Sequence, residues 1–319
     1  MHDFQTVLAQ VEPQMAELEA LRAAAGKATR TAWFVGVGFA LAGLAFLPAV
    51  GNPIPVMIGV VLGAVVGSLI AHGPRSSYRA AYKNSLVSAV LKAMHPGLSY
   101  APGSGVTESV FDNSRLFPRS PDRYDCEDKL AGRIGNVGIL VSEVHAERKH
   151  VSRDSKGKRR TSYSDIFKGV FFTAEFPRKI EGWTLVLPDS ESGAMSGLVS
   201  LFKGIVPFGS RDEIRMSDPE FEEHFRVQSS DPVEAHYLLT PDFMHRLVRL
   251  RVQWGSRIRL AFHSNLLFLA IPSTRDFLEP GSIGGGEMSA HTEVSRIYQE
   301  LSMLLGIVED CDLQNDLWK

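Results

Sequence analysis

Glu143, His145 and Glu147 are spaced by two, and in an extended strand that spacing puts three side chains able to ligate a metal or move a proton on one face. Neighbours on such a face stand about 6.8 Å apart, so a metal would need further ligands from an adjoining strand. A solvated polar face is the expected reading. Asp122, Asp125, Glu127 and Asp128 form an acidic cluster in what reads as a loop. Their oxygens suit a hard cation, but the Gly-centred spacing of a calcium loop is missing, and a surface acidic turn is the simpler account. A third group is basic, at the tip of a hairpin expected over residues 149–160: Lys149, Arg153, Lys156, Lys158, Arg159 and Arg160 stand against Asp154 alone. Near an anionic leaflet each cation contributes about 1 kcal/mol, within a Debye length of the surface. These six are the candidate contacts for lipid headgroups or an acidic partner, beside the plainer alternative of a solvated loop.

Signatures of covalent catalysis and nucleotide binding are missing. There is no Gly-x-Ser-x-Gly, since Gly193 to Gly197 places Ser196 off the central position, and no Gly-x-x-x-x-Gly-Lys-Ser/Thr. Gly284 to Gly286 follows Pro280-Gly281 rather than a strand and reads as a linker. Cys126 and Cys311 belong to no Cys-x-x-Cys pair, and the ten histidines show no His-x-x-x-His spacing. No catalytic, cofactor-binding or metal-ligating residue is therefore assigned, and no cofactor is expected. A net charge of −2 argues against a general nucleic-acid binder.

The elements that must position these groups begin with an anchor. From Thr31 to Pro74 the chain holds no Lys, Arg, Asp or Glu. As one helix that run would be about 66 Å long, roughly twice the hydrocarbon thickness of a bilayer. Gly51, Asn52, Pro53 and Pro55 break it into two transmembrane spans of about 32–50 and 54–71. Arg22, Lys27 and Arg30 precede the first, Arg75, Arg79 and Lys83 follow the second, and the turn carries no charge. By the retention of basic flanks, both termini are expected to be cytoplasmic. Gly59, Gly63 and Gly67 recur every fourth residue, as do Ala32, Gly36 and Ala40. Such stripes let helices approach closely. Packing of the two spans on each other is one reading, and self-association through the Gly face the other.

The rest divides into an N-terminal helix in residues 1–30, a helical stalk over 75–98 closed by His95-Pro96-Gly97, an α+β domain over 99–279, and a glycine linker with a last helix over 280–319. Strands are expected at Val137 to Ala146, Tyr163 to Phe176, Trp183 to Leu187 and Phe225 to Ser229, with a hairpin turning at His263-Ser264-Asn265. Asp231-Pro232 with Glu234, and Thr240-Pro241, announce two helices, the first with capping-box spacing. The apolar stretch 196–209 is expected to tuck under the sheet. Grouped strands and helices indicate α+β rather than a wound parallel sheet.

At these residues the chain resembles a family of bacterial membrane proteins known as domain of unknown function number 3137. The resemblance rests on Tyr100 with Pro102-Gly103, Phe111 and Ser114 before Leu116-Phe117, Glu127-Asp128 with Gly132, and Ser142-Glu143-Val144. It continues with Phe167-Lys168-Gly169 before Phe171-Phe172, Phe221 with Phe225 and Val227, and Asp231 with Glu234-Ala235 leading to Leu239-Thr240-Pro241. It implies two spans and a cytoplasmic α+β domain, and no activity. The expectation is an integral membrane protein, more plausibly not an enzyme, whose cytoplasmic domain binds or organises a protein partner at the membrane. A membrane-anchored hydrolase or transferase, or a lipid-responsive sensor, is the alternative. A polar pocket with converging titratable groups would mark the enzyme. An open sheet edge or apolar patch would mark the binding module.

Overall fold

A computed structural model describes residues 4–47, 51–153, 158–176, 179–190, 213–255, 257–281, 283 and 290–310. Lys156, the apolar stretch 196–209, Gly284 to Gly286 and Cys311 lie outside the described residues. The chain forms two compact units, Met1–Met94 with Leu278–Gln299, and His95–Phe277 with Glu300–Lys319.

The first unit is helical. Helix α1 (Phe4–Val11) meets a 3₁₀ turn at Glu12–Gln14, where Pro13 withholds an amide donor, and α2 then runs over Met15–Ala45. Val7, Val11, Met15, Leu18 and Ala25 are buried at helical spacing. The chain reverses through Gly51, whose φ of +68° suits a residue without a Cβ, and Asn52, whose Oδ1 accepts from Ile54 N at 3.0 Å. Helix α3 (Ile54–Ala81) carries Pro55 in its first turn, where a missing N–H costs nothing. It runs on through His72-Gly73-Pro74, where the span and the stalk were expected to be separate helices. A π-helical segment at Tyr82–Val87 and α4 (Ser88–Met94) complete this rod.

Helices α2 and α3 touch along their small residues. Gly59, Gly63 and Gly67 are buried. A Cβ on Gly63 would lie 2.9 Å from Gly36 Cα, and one on Gly67 3.0 Å from the Ala32 carbonyl oxygen. Larger side chains point outward, with Trp33 64% and Leu69 72% exposed. Toward the end of the rod the surface becomes ionic. Lys83, 4% exposed, places Nζ 2.6 Å from Glu279 Oε1, and Arg79 pairs with the same oxygen. Burial alone would raise the Glu279 carboxyl, but these two cations hold it below the usual carboxylate range. Arg296 Nη2 donates to Tyr82 Oη and Glu293 Oε2, both at 2.6 Å.

Among the described residues the second unit is built on a nine-stranded sheet in which every neighbouring pair is antiparallel, ordered β1-β2-β3-β4-β9-β8-β5-β7-β6. The strands are β1 (Leu98–Ala101), β2 (Arg123–Ile134), β3 (Val137–Arg153), β4 (Arg159–Glu175), β5 (Trp183–Pro188), β6 (Glu213–Ile214), β7 (Phe225–Ser229), β8 (Arg259–His263) and β9 (Leu266–Pro272). The edge strands β1 and β6 are short, which limits pairing with other chains. Together with the helices this is the α+β organisation expected from the pattern.

Both sheet faces are buried at the centre, which explains why β4 reads as apolar on both parities. On one face Phe171, Leu185, Ala261 and Phe268 form a core with Phe111 from α5 (Glu108–Asn113). On the other, Phe262 packs against Phe243 of α8 (Pro241–Trp254), ring centroids 6.0 Å apart. Preceding α8 are α6 (Pro219–His224) and α7 (Pro232–Leu238). Asp231 caps α7 by accepting from Val233 N, and Thr240 caps α8 by accepting from Phe243 N. Gly255 ends α8 at a φ of +59°. Helix α9 (Ala290–Asp310) closes the described chain.

Two local expectations are corrected. Glu234 does not complete a capping box. Ser229 Oγ accepts from Asp231 N instead, while the Glu234 carboxylate accepts from Glu181 N and Gly182 N at 3.0 and 3.2 Å and ties down the approach to β5. The acidic segment is a strand rather than a loop. Asp125 and Glu127 alternate with half-buried Tyr124 and Cys126 in β2, and a bulge turns Asp128, at a φ of +58°, inward to accept from Tyr100 Oη.

Candidate functional site

Three strands compose the site. Asp125 and Glu127 of β2 stand opposite His145 and Glu143 of β3, and Arg123 stands opposite Glu147. Across the other flank, His145 faces Lys168 of β4 and Glu143 faces Val170. The triplet Glu143, His145 and Glu147 therefore does share one face, with acids on one side and a lysine on the other. Between Ala146 and Glu147 the register slips by one residue, so that Asp165 rather than Ile166 lies opposite Glu147. That bulge re-aims the Asp165 carboxylate onto the site, 2.8 Å from His145 Nε2.

The strip beyond β9 forms one wall of this cleft. Ser273 N donates to Lys168 O at 3.0 Å, and Phe277 N donates to the Glu143 carboxylate. Arg275 Nη2 reaches Glu300 Oε1 at 3.0 Å. The cleft encloses about 460 Å³, with Asp125, Glu127, Glu143, His145, Lys168 and Arg275 among its lining. Gly169, at a φ of +151°, is required here because a Cβ would run into the backbone of residues 271–273.

Burial is the largest influence on Glu143 and, against the Phe277 amide, pushes its carboxyl up to about 8, with Asp128, Glu127 and Asp276 adding repulsion. Glu143 is thus protonated at neutral pH and able to donate or take up a proton near it. The sign of its stability effect follows. In the unfolded chain the carboxyl ionises near 4.5, in the fold only near 8, so stability falls as pH rises between those values and levels above about 8. Glu143→Gln is expected to flatten that fall and to be more stable than the parent at pH 8.5. Solvent screening at this partly exposed carboxyl holds the gain near about 2 kcal/mol. Thermal unfolding across pH 4 to 9 checks it.

His145, Glu147 and Asp165 each offer one ligand atom, all within 4.8 Å of one another. In the structure His145 Nε2 hydrogen-bonds with the Asp165 carboxylate, and Glu147 Oε2, shielded from solvent, lies 3.2 Å from Arg123 Nη1. A cation would have to displace both contacts. Asp122 is taken up locally, its Oδ2 accepting from Lys149 N at 2.8 Å.

The basic candidates lie elsewhere. Strands β3 and β4 run out to Arg153 and start again at Arg159 as the expected hairpin, with most of these cations on its two strands and not at its tip. Arg153 faces Arg159, Lys149 faces Tyr163 and Val151 faces Thr161. Cross-strand partners share a face, which puts Lys149, Arg153 and Arg159 together with the exposed Val151 and Tyr163, while Arg160 points to the other side. Lys158 flanks the start of β4.

What sequence reasoning missed is Asp165, Lys168 and Arg275. Lys168 stood in a quoted motif without a role. A bulge has no mark in strand alternation, and Arg275 arrives from a segment without periodicity.

Comparison with known proteins adds one finding. Searches against curated proteins and against solved structures each returned no match. The sequence profile of one family, described as a protein of unknown function (DUF3137), matches residues 165–313. The match starts at Asp165 on the acidic face and extends through α9, and it does not include the stretch before Asp165, from which the resemblance also drew Tyr100 to Val144. Residues 165–313, from within β4 to α9, are thus similar to the DUF3137 family.

Proposed function

We propose that this protein is a membrane-anchored binding module, held by the α2–α3 hairpin in a bacterial inner membrane with both termini cytoplasmic. The outward face of the hairpin is the observation that carries it. Trp33, Phe34, Leu41, Met57, Ile58, Val61 and Leu69 are exposed on helices whose stretch from Thr31 to Pro74 holds no formal charge. At about 25 cal/mol per Å², water contact with that surface is strongly unfavourable, and lipid relieves it. Two helices of this length and apolarity have the dimensions of bilayer spans.

On the water side, the ribbon face formed by Lys149, Val151, Arg153, Arg159 and Tyr163 joins cations to apolar side chains, a combination suited to anionic headgroups or an acidic partner protein. A second reading, acid–base chemistry at the membrane, is favoured by one observation, the Glu143 carboxyl raised to about 8 in a cleft beside His145 and Lys168. Topology reporters test the anchor. Fusions at either terminus are expected to report the cytoplasm, and an insertion at Gly51-Asn52 the opposite side. A C-terminal reporter active outside the cytoplasm overturns the reading.

A further inference from the structure

A second cleft, which shares Lys168 and Arg275 with the first, has the opposite electrical character. It encloses about 870 Å³ and is lined by Lys168, Arg251, Arg257, Arg259 and Arg275 against the single carboxylate of Asp165, with Phe117 and Trp254 as aromatic walls. That volume lies within the range of about 300–1,000 Å³ found for small-molecule sites. The five cations come from β4, the end of α8, the approach to β8, β8 itself and the strip after β9, so no local feature of the sequence gathers them.

Some of this charge serves the fold. Arg259 Nη1 donates to Leu116 O at 2.8 Å while its guanidinium lies 4.8 Å from the Phe117 ring centre. Arg275 is paired with Glu300 and stands over the Phe277 ring, and Lys168 is 3.9 Å from Asp276. Two donors are different. Arg251 Nε and Trp254 Nε1 are shielded from solvent and have no hydrogen-bond partner among the described residues. A buried donor left unpaired costs about 1–3 kcal/mol, which native structures seldom tolerate without an acceptor. Neither nitrogen can accept, because indole and guanidinium groups only donate. What is missing is therefore an acceptor, and the surrounding cations require it to be negative.

We propose that this cleft binds a phosphate-bearing ligand, with Arg251 and Trp254 donating to its oxygens and Arg257 and Lys168 supplying charge. Guanidinium groups match phosphate oxygens in pairs, and a di- or triphosphate spreads enough acceptors to meet donors on several walls. The phosphate is either that of a soluble molecule or that of a lipid headgroup, and the two sources share this chemistry. The inference does not depend on the ribbon or on Glu143.

The test uses the full chain purified in a neutral detergent and titrated calorimetrically with inorganic pyrophosphate and with ATP. Saturable binding is expected for one or both, weakened at least about tenfold in Arg251→Gln/Arg257→Gln and in the milder Arg257→Gln alone by a smaller factor. Trp254→Phe, which removes one donor and keeps the ring packing, is expected to weaken it severalfold. Lys179→Gln, an exposed cation outside the cleft, is expected to leave it unchanged. Titration of the same detergent-purified chain with a short-chain, water-soluble phosphatidylinositol phosphate distinguishes the sources. Binding there with the same dependence on Arg251 and Arg257, in the absence of binding to pyrophosphate and ATP, assigns the phosphate to lipid. No saturable binding to any of the three probes, or equal loss in Lys179→Gln, overturns the proposal. Topology reporters are untouched by either outcome, so failure here is separable from failure of the anchor.

Discussion

Replacing both Gly59 and Gly63 with leucine is expected to destabilise the helical unit by about 4 kcal/mol, at about 1–3 kcal/mol for each overpacked position. The reason is that the obstruction is backbone and not a side-chain tip that can swing away. A Cβ on Gly63 already falls 2.9 Å from Gly36 Cα, and one on Gly59 meets the Phe39 carbonyl. Helices α2 and α3 must separate, and dispersion contacts along the stripe are lost over several turns. Thermal loss of helix signal, measured in detergent micelles, is expected to move down by about 10 °C. Val61→Leu, on an outward position 60% exposed, is expected to leave it within a degree or two. If the double leucine variant melts with the parent, the glycine contacts do not hold the hairpin.

The second large effect concerns a buried cation. Lys83 is 4% exposed and answers to Glu279, which Arg79 also contacts. Glu279→Gln removes a negative partner of that buried ammonium group, at a cost of about 3 kcal/mol. Adding Lys83→Met is expected to recover most of that loss, because an apolar side chain of similar volume needs no partner. Acid should reveal the same coupling in the parent protein. A carboxyl held below its ordinary range contributes stability that is present above its unfolded pKa and is lost as pH falls through the folded one. Glu279→Gln lacks that decline. A double variant no better than the single one would show that Lys83 does not depend on Glu279.

How far these features were legible in the sequence depends on the range of the interactions that create them. Asp231 and Thr240 announce their helices because a cap is settled within three residues, and both hydroxyl or carboxylate oxygens accept the amides their spacing demands. The Ser264-Asn265 turn is equally local, with φ values of +54° and +60° between two strands. Strand β2 was not legible. Its acids alternate with Tyr124, Cys126 and Leu130, but Asp and Glu are depleted in strands and the bulge at Asp128 breaks the alternation.

For the site, the face shared by Glu143, His145 and Glu147 follows from strand parity alone, and so was available without a structure. The raised carboxyl of Glu143 was not, since it depends on burial beneath the Phe277 strip, more than a hundred residues onward. Asp165 needed the slip at Ile166 to reach His145. The basic cleft was the least visible element. Its arginines do cluster in the stretch from Arg246 to Arg259, yet Arg246 is spent on Asp242 at 2.7 Å, and only the fold separates that residue from Arg251 and Arg257.

The account rests on the hairpin lying in lipid, and fractionation of cells expressing the full chain tests this most directly. Membranes are washed at alkaline pH, which strips proteins held by charge alone, and centrifuged. The chain is expected in the pellet, released only by detergent, and the triple ribbon variant Lys158→Gln/Arg159→Gln/Arg160→Gln is expected to pellet equally. Full-length protein recovered intact in the supernatant would contradict the account.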